Sequence, residues 1–380
     1  MRVTIIQASV RSLLALLSVL VLAACAPEPQ SESHTASFNF DVNNVLGGEN
    51  TAGFLRADAA REFSFPEDHG LHPGFRNEWW YITGNLEDQN GRRFGYQLTF
   101  FSNTLESGEQ ADSGWQSSRI WMAHAALSDV GNKQHIALER FSRENPGLAG
   151  ARLYPFKVWL ENWSLQSANN DFPWHLTIDD PAFSLNLELN PQKDLVLQGD
   201  AGLSQKSPEP GNASYYYSYT RLQSEGSIRV NDETYRVTGN SWLDREWSTS
   251  ALADDQTGWD WFSLQFDDGQ ELMYYQLRDQ EGQTHPSSAG NWTDPDSRQT
   301  RISPDEILLE QRQEWLSPQG ISYGTEWALE YRGQRWIIKA LFEEQVMNLS
   351  VPYWEGAVDI YAADSNVRLG EGYLEMVRSP

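Results

Sequence analysis

Cysteine is almost missing from this chain: Cys25 is the only one in 380 residues. A single thiol excludes an intrachain disulfide framework and a thiolate zinc site. Basic side chains are also scarce, 28 Lys and Arg against 53 Asp and Glu, for a formal net charge of −25. Such a chain lacks the cationic surface that a general grip on nucleic-acid phosphates requires, so no nucleic-acid partner is expected. Nor does charge hold it to an anionic leaflet. Long apolar runs are absent. Leu13 to Leu22 extends about ten residues, too short to cross a ~30 Å hydrocarbon core as a helix. No window shows a convincing 3.6-residue period. Aromatics, in contrast, make up 12% of the chain and include 16 Trp.

The first 24 residues carry two Arg and no acid. A short apolar run followed by small residues has the form of a secretory signal. Its end, Leu22-Ala23-Ala24-Cys25, resembles the bacterial lipobox, in which the thiol is acylated and becomes the first mature residue. The alternative is an ordinary secretory signal with an incidental cysteine. Ala26 stands where Asp would mark inner-membrane retention, so the expected location is the outer membrane, facing the periplasm. Inner-membrane anchoring and secretion are the alternatives. Acyl chains rather than charge would make the membrane attachment. Residues 25–60, with Pro27, Pro29 and many Ser, Asn and Gly, read as a flexible tether.

Downstream, short segments alternate apolar and polar residues between turn signals. Examples are Trp174 to Ile178, Phe183 to Leu187, Ser227 to Val230 and Trp336 to Ala340. This period of two predicts half-buried antiparallel strands. Ser303 to Glu306 has the spelling of a helix cap, but Ile307 to Trp315 fits a strand equally well.

Four landmarks recur in the same order, which indicates an internal duplication. The Trp174/Phe183 pair of segments matches Trp327/Trp336, preceded by Trp163 and Trp315 respectively. Trp80-Tyr81 leads to Gly95 through Leu98 as Trp261-Phe262 leads to Tyr274 through Leu277. Gly239-x-x-Trp242-Leu243-Asp244 matches Gly370-x-x-Tyr373-Leu374-Glu375. The copies span residues 61–247 and 258–380, joined by a linker at 248–257. All-antiparallel, aromatic-rich units of this size suit closed barrels, which remove exposed edges and can enclose one apolar ligand. Filled β-sandwiches remain the alternative.

Common catalytic spellings are missing. There is no Gly-x-Ser-x-Gly elbow, zinc-protease helix, phosphate loop or dinucleotide fingerprint. His69 and His72 share a turn with Glu67 and Asp68, which suggests hydrogen bonding rather than a metal site, since the spacing indicates no third ligand. In Asn77-Glu78-Trp79-Trp80-Tyr81, strand geometry puts Glu78 and Trp80 on one face and Trp79 and Tyr81 on the other. In Trp242 to Trp247, Glu246 shares a face with Trp242 and Asp244, while Arg245 points with Trp247. Carboxylates among rings are desolvated, which raises their pKa or demands a partner. They serve either as structural Arg pairs that pin a barrel end or as acid/base groups. His124, on the same face as Ile120, Met122 and Ala126, is an acid/base candidate or a satisfied core histidine.

These strings, together with Tyr217-Ser218, Tyr353-Trp354-Glu355-Gly356 and Gly370 to Glu375, resemble the AttH/CrtC-like family, whose members are also labelled lipocalin-like or secreted-hydrolase proteins. The resemblance covers residues 62–376 and implies an all-β fold, two tandem lipocalin-like (calycin-type) antiparallel β-barrels packed together. The family includes carotenoid 1,2-hydratases, which add water to an isoprenoid double bond without a cofactor, and components encoded beside ABC-transporter permeases. In the hydratase branch the segment matching Asp244 to Trp247 reads Asp-His-Asn-Trp, and a following strand supplies Tyr-x-Asp. Here Arg245, Glu246 and Gln276 depart from that pattern, and Tyr274 matches. A neutral amide cannot protonate carbon, and neither can a guanidinium, so the hydratase mechanism does not carry over as written.

The expected function is therefore a periplasm-facing lipoprotein that binds an apolar, isoprenoid or acyl-chain ligand, with an ABC-type permease as partner. The alternative is a cofactor-free hydratase, isomerase or hydrolase using Glu78, His124, Asp244 or Glu246. The expected ligand-binding residues are Trp79, Trp80, Tyr81, Trp242, Arg245, Trp247, Tyr274, Gln276, Trp354 and Glu355. No metal or cofactor is expected, and any site should lie between the barrels or at one mouth.

Overall fold

The alternating segments form two strongly curled antiparallel sheets with barrel-like shapes. The computed structural model describes residues 51–108, 117–249, 252–253 and 255–378. The expected signal segment, Cys25 and the greater part of the expected tether lie outside the described residues. Among the described residues the single helical element is a 3-10 turn, Glu67–His69.

The first sheet has 13 strands. It opens with a meander of four, Asn77–Asp88, Arg93–Thr104, Arg119–Asp129 and Gln134–Arg143. Its last strand, Glu233–Ser248, returns to pair with Asn77–Asp88. The second sheet has ten strands and repeats the plan. Gln256–Phe266, Glu271–Asp279, Ala289–Thr293 and Gln299–Ile302 form its meander, and Arg368–Arg378 returns to Gln256–Phe266. The duplicated landmarks thus have duplicated topology.

The matched glycines have a steric reason. A Cβ on Gly239 would stand 2.0 Å from the carbonyl oxygen of Asn85, and one on Gly370 would stand 2.3 Å from that of Gln265. Both mark the same close approach between the returning strand and the first strand of its copy. Ladder partners also correct the finer matching. Asp244 lies opposite Tyr81, and Glu375 lies opposite Trp261. Trp261 therefore holds the position of Tyr81, one residue off the identity match with Trp80. By the same ladders Tyr274 holds the position of Leu98, which the identity match had given to Leu277.

Inward-facing residues fill both barrels. Trp80, Ile82, Leu98, Trp163, Leu176, Leu185 and Leu243 belong to the first core; Phe262, Leu264, Trp327, Ile338, Trp354 and Leu374 belong to the second. Each fully buried side chain of this kind contributes about 1.5–3 kcal/mol before entropy is counted. The second core also takes Tyr274. Ser303 to Glu306 forms a turn in which the Ser303 hydroxyl donates to Glu306 Oε2 at 2.7 Å. The following segment, Ile307–Leu316, is a strand.

Outer faces of the two sheets meet in a third apolar cluster, to which Tyr81, Tyr216 and Trp242 contribute from one side and Trp261, Tyr275 and Tyr373 from the other. Buried ion pairs flank it: Glu271 takes Arg221 at 2.7 Å and Lys193 at 2.6 Å, and Arg93 meets Asp359 at 2.7 Å. These cross-sheet contacts make one wall of each barrel a wall of the site between them.

Candidate functional site

Strand parity sorts the aromatic motifs into two environments. Glu78, Trp80, Arg245 and Trp247 share one side. Glu78 accepts Arg245 Nη2 at 2.5 Å and Arg119 Nη1 at 3.1 Å, and all three side chains are within 1% of full burial. The Arg245 guanidinium lies 3.8 Å from the Trp80 ring centre. His72 bridges Asp68 and Glu78 at 3.1 and 3.3 Å and stacks on Trp247 at 3.7 Å. Burial would raise the Glu78 pKa, but Arg245, His72 and Arg119 outweigh it and hold the carboxyl below its ordinary value. Glu78 is an ionised structural acid and has no proton to donate. His69 bonds Tyr217 Oη through Nδ1 at 2.6 Å. Burial and nearby Arg245 push its pKa down to about 4. Among the described residues, no group of three His, Cys, Asp or Glu could hold a metal ion.

The opposite parity faces a cavity of about 160 Å³ between the sheets. Trp79, Tyr81, Phe101, Met122, His124, Tyr216, Asp244 and Glu246 line it from the first sheet; Trp259, Trp261, Tyr275, Tyr353 and Glu375 line it from the second. Of the expected residues, Trp79, Tyr81, His124, Asp244 and Glu246 therefore meet here.

Asp244 is 3% exposed. Its Oδ1 accepts the Ser218 hydroxyl at 2.5 Å and the Trp242 indole N–H at 2.7 Å, and its Oδ2 accepts Tyr216 Oη at 2.6 Å. Burial raises its pKa to about 7, against the three donors that favour the charged form; the neighbouring Glu246 adds to the rise. Asp244 can thus exchange a proton near neutrality. Trp242 lies behind it as its support and does not line the cavity.

Glu246 accepts Ser214 Oγ and lies 3.1 Å from Lys206 Nζ. The Arg245 guanidinium reaches only the backbone oxygen of Glu246, at 3.1 Å, so the adjacent residues make no side-chain pair. Alternation sends the two to opposite faces. Lys206 is partly buried, which disfavours its charge, but Glu246 holds its pKa above the ordinary value. His124 is fixed between Tyr353 Oη, 2.9 Å from Nδ1, and Glu139, 3.1 Å from Nε2.

The structure corrects several expected ligand contacts. Trp80, Arg245 and Trp247 face away from the cavity for the parity reason above. Tyr274 and Trp354 pack in the second core. Gln276 lies on the Tyr274 face of its strand, away from the cavity, and accepts from Thr284 Oγ1 at 3.1 Å. The cavity-facing residues of the strands that carry Tyr274, Gln276 and Trp354 are Tyr275, Leu277 and Tyr353. Glu355 lies just behind the wall, where it accepts Tyr81 Oη at 2.7 Å. Sequence reasoning did not propose Lys206, Tyr216, Tyr275, Trp259, Trp261, Tyr353 or Glu375 as site residues. The repeat held a signal for Glu375, the counterpart of Asp244; Lys206 had none.

An AttH-like family model matches residues 56–378. The crystal structure of an AttH candidate from Nitrosomonas europaea is 30% identical over 85% of this chain and 99% of its own, with a TM-score of 0.75. Kievitone hydratase from Nectria haematococca shares the fold at 14% identity and a TM-score of 0.66, covering 88% of this chain and 98% of its own. CghA, solved with Sch210972, does so at 12% and 0.54, with the same coverage. No curated protein matches the chain. The family match runs through both barrels and every residue of the cavity wall, and the chain belongs to the AttH-like family.

Proposed function

We propose that the inter-sheet cavity binds an apolar small molecule. The observation that carries this is the aromatic wall that both sheets supply around about 160 Å³. An apolar cavity of about 150 Å³ admits a benzene ring, so this one suits a ring or short isoprenoid segment and takes a long chain by its end. Toluene tests it by calorimetry. The full chain should show one site with a dissociation constant of about 0.1–1 mM, and Val351→Trp, which puts an indole in place of a buried residue lining the cavity, should show none. Equal heats from both proteins would contradict the assignment.

Asp244 favours a second reading, acid-catalysed hydration of an alkene held in the cavity. The acid gives its proton to one alkene carbon, water bonds to the other, and the proton lost by that water returns to Asp244. The net change is addition of one water. Asp244 thus stands in for the acid that Gln276 cannot be. The shared fold of kievitone hydratase supports this reading. The lipobox-like string ending at Cys25 supports extending both to an outer-membrane lipoprotein facing the periplasm, and the family resemblance supports an ABC-type permease as partner.

A further inference from the structure

His124 belongs to a chain of hydrogen bonds that neither reading of the cavity uses. His124 and Glu139 face each other across the ladder of Arg119–Asp129 and Gln134–Arg143. Tyr353 opens the strand Tyr353–Ala362 of the second sheet, and Ser350 stands just before it. The bond between Tyr353 Oη and His124 Nδ1, 2.9 Å long, therefore joins the two sheets, and both residues line the cavity. Both are buried. The Phe101 ring packs against the imidazole at 5.3 Å between centres and helps to fix its plane.

Each partner in this chain sets the hydrogen of the next. Glu139 Oε2 accepts the Ser350 hydroxyl and, at 3.4 Å, the Ser350 backbone N–H. Burial opposes a charge on Glu139, but hydrogen bonds from His124 and Ser350 hold the carboxyl below its ordinary value. An ionised carboxylate only accepts, so Glu139 Oε1, 3.1 Å from His124 Nε2, takes an N–H. Neutral imidazole donates from one nitrogen and accepts at the other. Nδ1 is then the acceptor, and Tyr353 donates to it. Burial pushes the Tyr353 phenol well above its ordinary range, so the oxygen keeps its hydrogen. What Tyr353 Oη has left is a lone pair, with no other partner among the described residues. Donation to His124 makes that oxygen a better acceptor.

We infer that Tyr353 is a polar subsite of the cavity, accepting a hydrogen bond from a hydroxyl on an otherwise apolar ligand. The inference rests on the reading of the cavity as a ligand site and adds one functional group to the ligand. His124, Glu139 and Ser350 are positioning residues, which fix the direction of the Tyr353 hydroxyl.

Phenol and toluene form a suitable probe pair, since hydroxyl and methyl are close in size. In a cavity without an acceptor, the unpaired hydroxyl would weaken phenol about tenfold or more against toluene. Calorimetry on the full chain should instead find phenol within about threefold of toluene, or tighter. In Tyr353→Phe the ratio should move by about tenfold or more in toluene's favour. In protein carrying isotope-labelled histidine, phenol should move the Nδ1 resonance of His124 further than toluene does, because it acts on that nitrogen through Tyr353. A preference of about tenfold or more for toluene in the unmodified protein would overturn the subsite and leave the cavity reading intact. So would an unchanged ratio in Tyr353→Phe, or a His124 resonance that answers alike to both probes. If neither probe binds, the cavity reading falls as well. The affinity ratio and the resonance in the unmodified protein decide the matter even if the variant does not fold.

Discussion

Arg245→Met should lower the free energy of unfolding by about 3–5 kcal/mol at pH 7, the usual cost of removing one partner from a buried ion pair. The loss follows from what the guanidinium satisfies: the Glu78 carboxylate at 2.5 Å, the Gly70 carbonyl and the Trp79 carbonyl at 3.3 Å. Methionine keeps much of the volume over Trp80 and none of the charge. The double variant Glu78→Met/Arg245→Met should recover a large part of the loss, because it leaves no carboxylate stranded. Urea unfolding of the four proteins checks the cycle. The pH dependence has a definite sign. Glu78 has a depressed pKa in the folded state, so its contribution is present above the unfolded value near 4.5 and fades as pH falls through the folded value. The gap between the unmodified protein and Arg245→Met should therefore narrow on acidification. A loss below about 1 kcal/mol would mean that Arg119 alone suffices.

Asp244→Asn should act with the opposite pH dependence. The folded pKa of Asp244 is raised from 3.8 to about 7. Between those values the folded protein holds a proton that the unfolded chain has released, so this group stabilises the fold as pH falls. Its ionisation above pH 7 costs the folded state on the order of 4 kcal/mol relative to acid conditions. Asparagine does not titrate. The stability of Asp244→Asn relative to the unmodified protein should thus grow from pH 4 to about pH 7 and then level off. His69, Glu355 and Glu375 also titrate abnormally, but they are common to both proteins and cancel to first order in the difference. If the hydration reading holds, the same variant should lose about 10²–10⁴-fold in rate. A stability difference that stays flat across this range would show that Asp244 ionises as an ordinary carboxylate.

Much of this arrangement was legible because strand alternation is a local rule. It placed Trp79 and Tyr81 apart from Glu78 and Trp80, and Asp244 and Glu246 apart from Arg245 and Trp247, before any partner was known. The repeated Gly-x-x-aromatic-Leu-acid string was legible because close approach of the strands leaves no room for a Cβ at Gly239 or Gly370. Partners were not legible. That Arg245 belongs to Glu78, 167 positions away, depends on the register of two strands that the sequence does not encode locally. Tyr274 and Gln276 were misplaced for a related reason. A one-residue shift exchanges the faces of a strand, and a match by spelling cannot see it. Lys206 follows the short strand Leu203–Gln205 and reaches the cavity only through tertiary packing.

Mass spectrometry of the organic extract from the full chain, purified from a bacterial envelope beside Val351→Trp, tests the central claim most directly. A ligand site between the sheets predicts one class of apolar compound, stoichiometric with the unmodified protein and missing from the variant. An empty extract from well-folded protein, or the same compound carried equally by both, would contradict it.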